Sequence, residues 1–176
     1  MGRLPQLADA VITSAAGYPP DLTFYQTIKG ITAAEHLVKP GGRSLVLSEC
    51  SEGTGSPEFT DKLRTYAGPE SYLAEITETA VIPDQWQSEK LALTEPNHEL
   101  FFYTPGVVKE QIGVLAANSY ANAEAAVAAF LLDLPENAQV AVIPEGTYAF
   151  ARVQSEPKAN PEPALTSSFS SPSRAV

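Results

Sequence analysis

At 176 residues and 44% hydrophobic composition, the chain is long enough for one domain with its own apolar core. A formal charge of -10, from 21 acidic and 11 basic residues with no basic cluster, argues against a nucleic-acid partner and against an anionic membrane surface. Cys50 is the single cysteine, so no internal disulfide can form and a cytoplasmic location is expected. The N-terminus MGRLPQLADAVITSAAGY lacks the run of about 7 to 15 apolar residues of a signal peptide. No window approaches the ~18 apolar residues of a membrane span, so a soluble chain is expected. The first strand follows Met1 almost at once, an abrupt start that suggests a detached domain.

Residues 9–14 (DAVITS) are apolar and β-branched, which suits a buried parallel strand. Gly17, Pro19 and Pro20 break it, and Pro20-Asp21 is predicted to open a helix running to about Val38. Phe24, Ile28, Ile31 and Val38 form its apolar stripe, with Glu35 the polar intruder. Pro40, Gly41 and Gly42 are predicted to end it. A second strand is predicted over 43–50, followed by the loop Ser51-Glu52-Gly53-Thr54-Gly55. Loops leaving the carboxyl ends of parallel strands line the ligand crevice, so this loop and the 15–21 turn should meet on one edge. Two short helices are expected over 57–66 and 69–79, and a third behind Asp84 as its N-cap. Strands are expected over 99–104, 113–117 and 139–143. A helical connection is predicted between the first two, and an alanine-rich helix over 122–132 before the last.

This order predicts an α/β fold: a mainly parallel, Rossmann-like sheet of about five strands with helices on both faces. Residues 1–152 are assigned to the domain. The Ser-, Pro- and Glu-rich residues 153–176 are assigned to a disordered C-terminal tail.

At 100° per residue Gln26 and Lys29 share the helix face opposite the stripe, with Tyr25 at its flank. By spacing alone that face is an ordinary solvated one. His36 and His98 have no partner at a metal-ligand spacing, and Cys50 has no base placed beside it. Neither a hydrolase elbow nor a phosphate-binding glycine signature is present. Trp86, the only tryptophan, suits either a core anchor or a pocket wall.

Four segments in order carry a resemblance. Ser14 to Gly30 (SAAGYPPDLTFYQTIKG) resembles a segment near the start of the C-terminal domain of nickel-pincer lactate racemases and their 2-hydroxyacid racemase and epimerase relatives. KPGGRSLVLSECSEGTG (39–55), Asp84-Gln85-Trp86-Gln87 and Ala141-Val142-Ile143-Pro144-Glu145-Gly146 are similar to later segments of the same family. The resemblance implies half of a two-domain isomerase with its active site in the cleft between domains. It implies a nickel-pincer nucleotide tethered to a lysine of the N-terminal domain, whose histidines act as acid and base. On that reading Gln26, Lys29 and Trp86 contact a 2-hydroxy acid and Tyr25 faces the cofactor. The resemblance further implies that this chain holds no catalytic residue and no metal, and that it is inactive without an N-terminal racemase domain or subunit. Ala16, Pro20 and Glu52 depart from the family pattern, where glycine, an apolar residue and aspartate are usual. Those departures support an alternative, a non-catalytic α/β binding or interaction module derived from the family.

Overall fold

The computed structural model describes residues 2–149 and 151–153. In chain order the elements are β1 (Gly2–Leu4), β2 (Ala8–Ser14), α1 (Phe24–Glu35), β3 (Val38–Leu47), α2 (Pro57–Arg64), α3 (Pro69–Glu78) and α4 (Gln85–Thr94). They continue with β4 (His98–Tyr103), β5 (Ser119–Tyr120), α5 (Ala123–Leu131), β6 (Val140–Ile143) and β7 (Ala151–Val153). Five strands form the main sheet in the order β5-β4-β3-β2-β6, and every described pairing is parallel. The α/β expectation of about five parallel strands therefore holds. β1 and β7 pair with each other in a separate two-stranded sheet that the sequence reading did not foresee.

Alternation along the strands sends successive side chains to opposite faces. Val46, Leu100 and Phe102 meet Phe24, Ile28 and Ile31 of α1, backed by Phe59 and Leu63 of α2, Tyr72 of α3 and Leu91 of α4. Leu45 and Phe101 point the other way and pack on Ala126 and Phe130 of α5. Helices thus cover both faces, with most of the helical mass on the α1 side. Gly30 makes the close approach of α1 possible, since a Cβ there would stand 3.2 Å from Val46 Cγ1 and 3.3 Å from the Ser14 carbonyl oxygen.

Four backbone hydrogen bonds join the turn after β2 to the loop after β3. Cys50 N–H donates to Asp21 O (2.7 Å), Glu52 N–H to Leu22 O (2.8 Å), Phe24 N–H to Gly53 O (2.9 Å) and Tyr25 N–H to Thr54 O (3.0 Å). The two segments meet on one edge, as the crevice rule requires.

Some boundaries differ from expectation. α1 starts at Phe24 behind Thr23, not at Pro20, because the Asp21 and Leu22 carbonyls are taken by the loop across the edge. It ends at Glu35, so Val38 belongs to β3 instead of the helical stripe. The Lys39–Gly42 run bulges within β3: Ala8 pairs with Val38 but Ala10 pairs with Arg43, with Gly41 at φ 76°. Asp84 does stand at the N-cap of α4, as expected, but it is left-handed, with φ 62° and no side-chain capping hydrogen bond; its carboxylate accepts from Ser56 Oγ at 2.6 Å instead. Residues 113–118 form a 3-10 helix in place of the expected strand. Buried Ile112, just before it, and Leu115 within it are spaced by three, with Val114 outside. The fifth strand is Ser119–Tyr120. Of the tail expected over 153–176, Val153 ends β7 and the remainder lies outside the described residues.

Phe102 is fully buried and its ring lies 5.2 Å from that of Phe24. Phe102→Ala should cost about 3 to 5 kcal/mol, seen as a lower urea midpoint at unchanged slope. Ala16 sits at φ 71°, a region unfavourable to a side chain. Ala16→Gly should therefore raise stability by about 1 kcal/mol, and a fall in the urea midpoint would contradict the strain. Burial pushes the Tyr66 and Tyr72 phenols up, and Tyr66 donates to Glu95 Oε2 at 2.5 Å, which adds to its shift. Unfolded tyrosines lose their protons near pH ~10 while these two keep them. Their contribution is complete below that pH and declines as pH rises through and beyond it. Urea midpoints measured from about pH 8 to about pH 11 should fall; a flat profile would show that both phenols ionise freely in the folded state.

Candidate functional site

The sheet order places the topological switch between β2 and β6. After β2 the chain marches through β3, β4 and β5 to one side, then returns to lay β6 on the other. Such a reversal opens a crevice at the carboxyl ends of the strands. Here the turn after β6 is tied to the end of β2: Gly146 N–H donates to Ser14 O (3.0 Å), Thr147 Oγ1 donates to Ala15 O (3.3 Å), and Ser14 Oγ donates to Pro144 O. Gly146 is required by this seam, since a Cβ would stand 2.1 Å from Thr13 Oγ1 and 2.8 Å from Ser14 O.

Beside this seam lies a cleft of about 340 Å³ with three walls. Lys29, Thr32, Ala33 and His36 come from α1 and the residue that ends it. α4 contributes Trp86, Gln87 and Lys90, and the turn after β6 contributes Gly146, Thr147 and Ala149. Trp86 is 50% exposed, so it is a wall of the cleft and not a core anchor. Its indole meets the Tyr25 ring edge-on at 5.8 Å, and Tyr25 meets Phe59 edge-on at 5.3 Å. Gln87 Nε2 donates to Tyr25 O at 2.7 Å and fastens α4 to α1.

The structure therefore brings Lys29 and Trp86 into one cleft with Tyr25 behind the indole. Gln26 is not among the residues that line it; it stands one turn earlier on α1, half-buried. Burial raises the Tyr25 phenol, and the charge of Asp84 raises it further. Cys50 is fully buried among Thr27 and Ser48 with its thiol pushed up by burial, which is the opposite of an activated nucleophile. His98 is buried at the start of β4. No group of three or more potential metal-ligating side chains occurs among the described residues.

The sequence reading gave His36 and Lys90 no role, yet both line the cleft. The signal was present: His36 follows Lys29 by seven residues, two helical turns, and Lys90 follows Trp86 by four. What the spacing could not supply was that α1 and α4 lie side by side.

A family model described as the lactate racemase C-terminal domain matches residues 5–150. A lactate racemase of Thermoanaerobacterium thermosaccharolyticum is 36% identical over 100 residues, covering 55% of this chain and 24% of that protein. One from Lactiplantibacillus plantarum is 29% identical over 141 residues, covering 78% of this chain and 33% of that protein. The structure of the Thermoanaerobacterium thermosaccharolyticum lactate racemase apoprotein superposes with a TM-score of 0.72 at 28% identity, over 84% of this chain and 36% of that one. The chain thus spans about a quarter to a third of the length of the curated relatives it matches. With the family model covering nearly all of the described fold, this chain belongs to the lactate racemase C-terminal domain family.

Proposed function

We propose that the chain is the substrate-contacting half of a 2-hydroxyacid racemase or epimerase of the lactate type. On this reading it needs a partner domain or subunit to complete the active site and does not turn over substrate alone. The observation that carries the reading is the joint placement of Lys29 and Trp86 on one cleft, whose third wall is the turn after β6. An ammonium there suits the carboxylate of a 2-hydroxy acid, which it would hold by a charge-assisted hydrogen bond while the α-carbon reacts. Trp86 would cover the side-chain end and exclude water. Gln26, one turn before Lys29, would add an amide donor as the cleft closes against its partner.

Exposed aromatics support the need for that partner. Tyr18 in the turn after β2 is 82% exposed and Tyr148 in the turn after β6 is 69% exposed. With Trp86 they gather aromatic surface on the edge where a second domain would sit. The nickel-pincer nucleotide that the family resemblance implies would supply reversible acceptance of the α-hydride. The described residues do not fit its metal, since no cluster of three ligating side chains occurs among them. We assign the metal and the acid-base histidines to the partner domain. Tyr25, braced by Trp86 and Phe59, is the residue assigned to the cofactor side. The cytoplasm is the compartment proposed; among the described residues no helix is long and apolar enough to cross a membrane.

Purified alone, the chain should show no racemisation of lactate. Combined with a cofactor-loaded N-terminal half it should gain that activity, and turnover by the chain alone would refute the half-enzyme reading. In the assembled enzyme Lys29→Ala should weaken 2-hydroxy acid binding by about tenfold to hundredfold. Unchanged affinity would remove Lys29 from the site and favour the non-catalytic module.

A further inference from the structure

β6 is an edge strand whose single neighbour in the main sheet is β2. Its register fixes which way its backbone points. Ala10 N–H donates to Gln139 O at 3.2 Å, and Ala10 and Ile12 stand opposite Val140 and Val142. In a parallel ladder of this phase residues 139, 141 and 143 bond inward to β2. The N–H and C=O groups of Val140 and Val142 therefore face outward, without a backbone partner among the described residues. The side chains of the same two valines share a face of the sheet with Ala10 and Ile12, the face that α5 covers. α5 has its main contacts with β3, β4 and β5 and not with β6. Val142 is accordingly 65% exposed and Val140 39% exposed.

Edge strands that stay unpaired are commonly guarded by a charge, a proline, a bulge or brevity. β5, at the opposite edge, is guarded by its length of two residues. β6 has no such guard: VAVI carries neither charge nor proline, and its pairing with β2 runs without a register shift. Its flanks select the occupant. If a second β6 pairs antiparallel about a two-fold axis at Ala141, Val140 of each copy lies opposite Val142 of the other. Both are then hydrogen-bonded pairs, and every outward group is satisfied in four bonds. An axis at Val140 would set Val142 against Ala138, whose N–H already donates to Pro135 O. An axis at Val142 would set Val140 against Pro144, which has no N–H. Charge agrees with the Ala141 register. Within residues 136–146 the charged side chains are Glu136 and Glu145, and they fall opposite Gly146 and Asn137 instead of each other. On a chain of formal charge -10, that approach brings no two of these carboxylates face to face.

We propose that β6 is the pairing strand of a homodimer: it binds the β6 of a second copy of this chain across a two-fold axis at Ala141, joining the two five-stranded sheets into one. Val140 and Val142 of the two copies then pack as a cross-strand cluster on the face beside α5. The contact is the same patch on both copies, so it closes at two. It uses the α5 face, whereas the cleft is walled by α1 and α4 on the other, and it stands independently of the racemase-type reading.

Sedimentation velocity of the full chain over a dilution series tests the assembly. The wild type should reach twice the chain mass and no more. Val142→Lys enters the interface twice and should weaken the dimer about a hundredfold, tenfold from each copy. Val142 is exposed, so the circular dichroism spectrum of the variant should match the wild type. Cysteine substitution tests the register. Ala141 faces its own copy as a non-hydrogen-bonded pair with Cα atoms about 4.5 Å apart, within disulfide reach. Ala141→Cys should therefore form a covalent dimer with oxidised glutathione. Gln139→Cys should not, because it lies opposite Ile143 and roughly 13 Å from its own copy. Cys50 is fully buried and leaves the introduced thiol as the one that reacts. A wild-type monomer overturns the proposal and leaves the edge to a different protein. A dimer insensitive to Val142→Lys, growth beyond two copies, or crosslinking through Gln139→Cys in place of Ala141→Cys overturns it as well.

Discussion

Two bonds in each direction, from Cys50 and Glu52 to Asp21 and Leu22 and from Phe24 and Tyr25 to Gly53 and Thr54, fix where α1 begins. A helix that starts one residue earlier or later turns every side chain by 100°. The phase set here sends Phe24, Ile28 and Ile31 into the core. The same phase leaves Lys29 beside the cleft. These bonds also satisfy the free N–H groups at the start of α1, which Thr23 leaves without a side-chain cap. The loop therefore serves as the helix cap and as the frame of the site.

A second seam aligns the far wall. Gly146 and Thr147 bind the end of β2 through backbone and hydroxyl contacts, and the lack of a Cβ at 146 lets the two chains touch. With α1 fixed at its start and the β6 turn fixed against β2, the cleft is built from elements that the sheet itself positions. α4 is the third wall, held to α1 through Gln87, the Tyr25–Trp86 ring contact and Thr94 Oγ1, which donates to Glu35 Oε2 at 3.2 Å.

Much of this architecture was legible in the residues. The apolar run of β2, the stripe of α1 and the alternation of strands and helices each rest on local periodicity, which sequence displays directly. The Lys39–Gly42 run misled because proline and glycine mark the end of a helix and also a bulge in a strand, and only pairing with β2 distinguishes them. GVLAA reads as a strand by composition, whereas only its Leu115 is buried, three residues after buried Ile112 and with Val114 exposed between them. The cleft was half legible. Lys29 and Trp86 stood out through their matched segments, but His36 and Lys90 become neighbours of that pair only through packing of α1 against α4, which no local pattern encodes.

Cys50 carries a practical consequence of its burial. Its sulfur is enclosed by Thr27 and Ser48 with no exposed area, and it is the only cysteine in the chain. The native surface consequently offers no reactive thiol. A cysteine introduced at Ala33, on the α1 wall of the cleft, would be the one position to accept a thiol-directed probe. The chain is in this sense already prepared for placing a single label inside the cleft and reading its surroundings without interference from a native thiol.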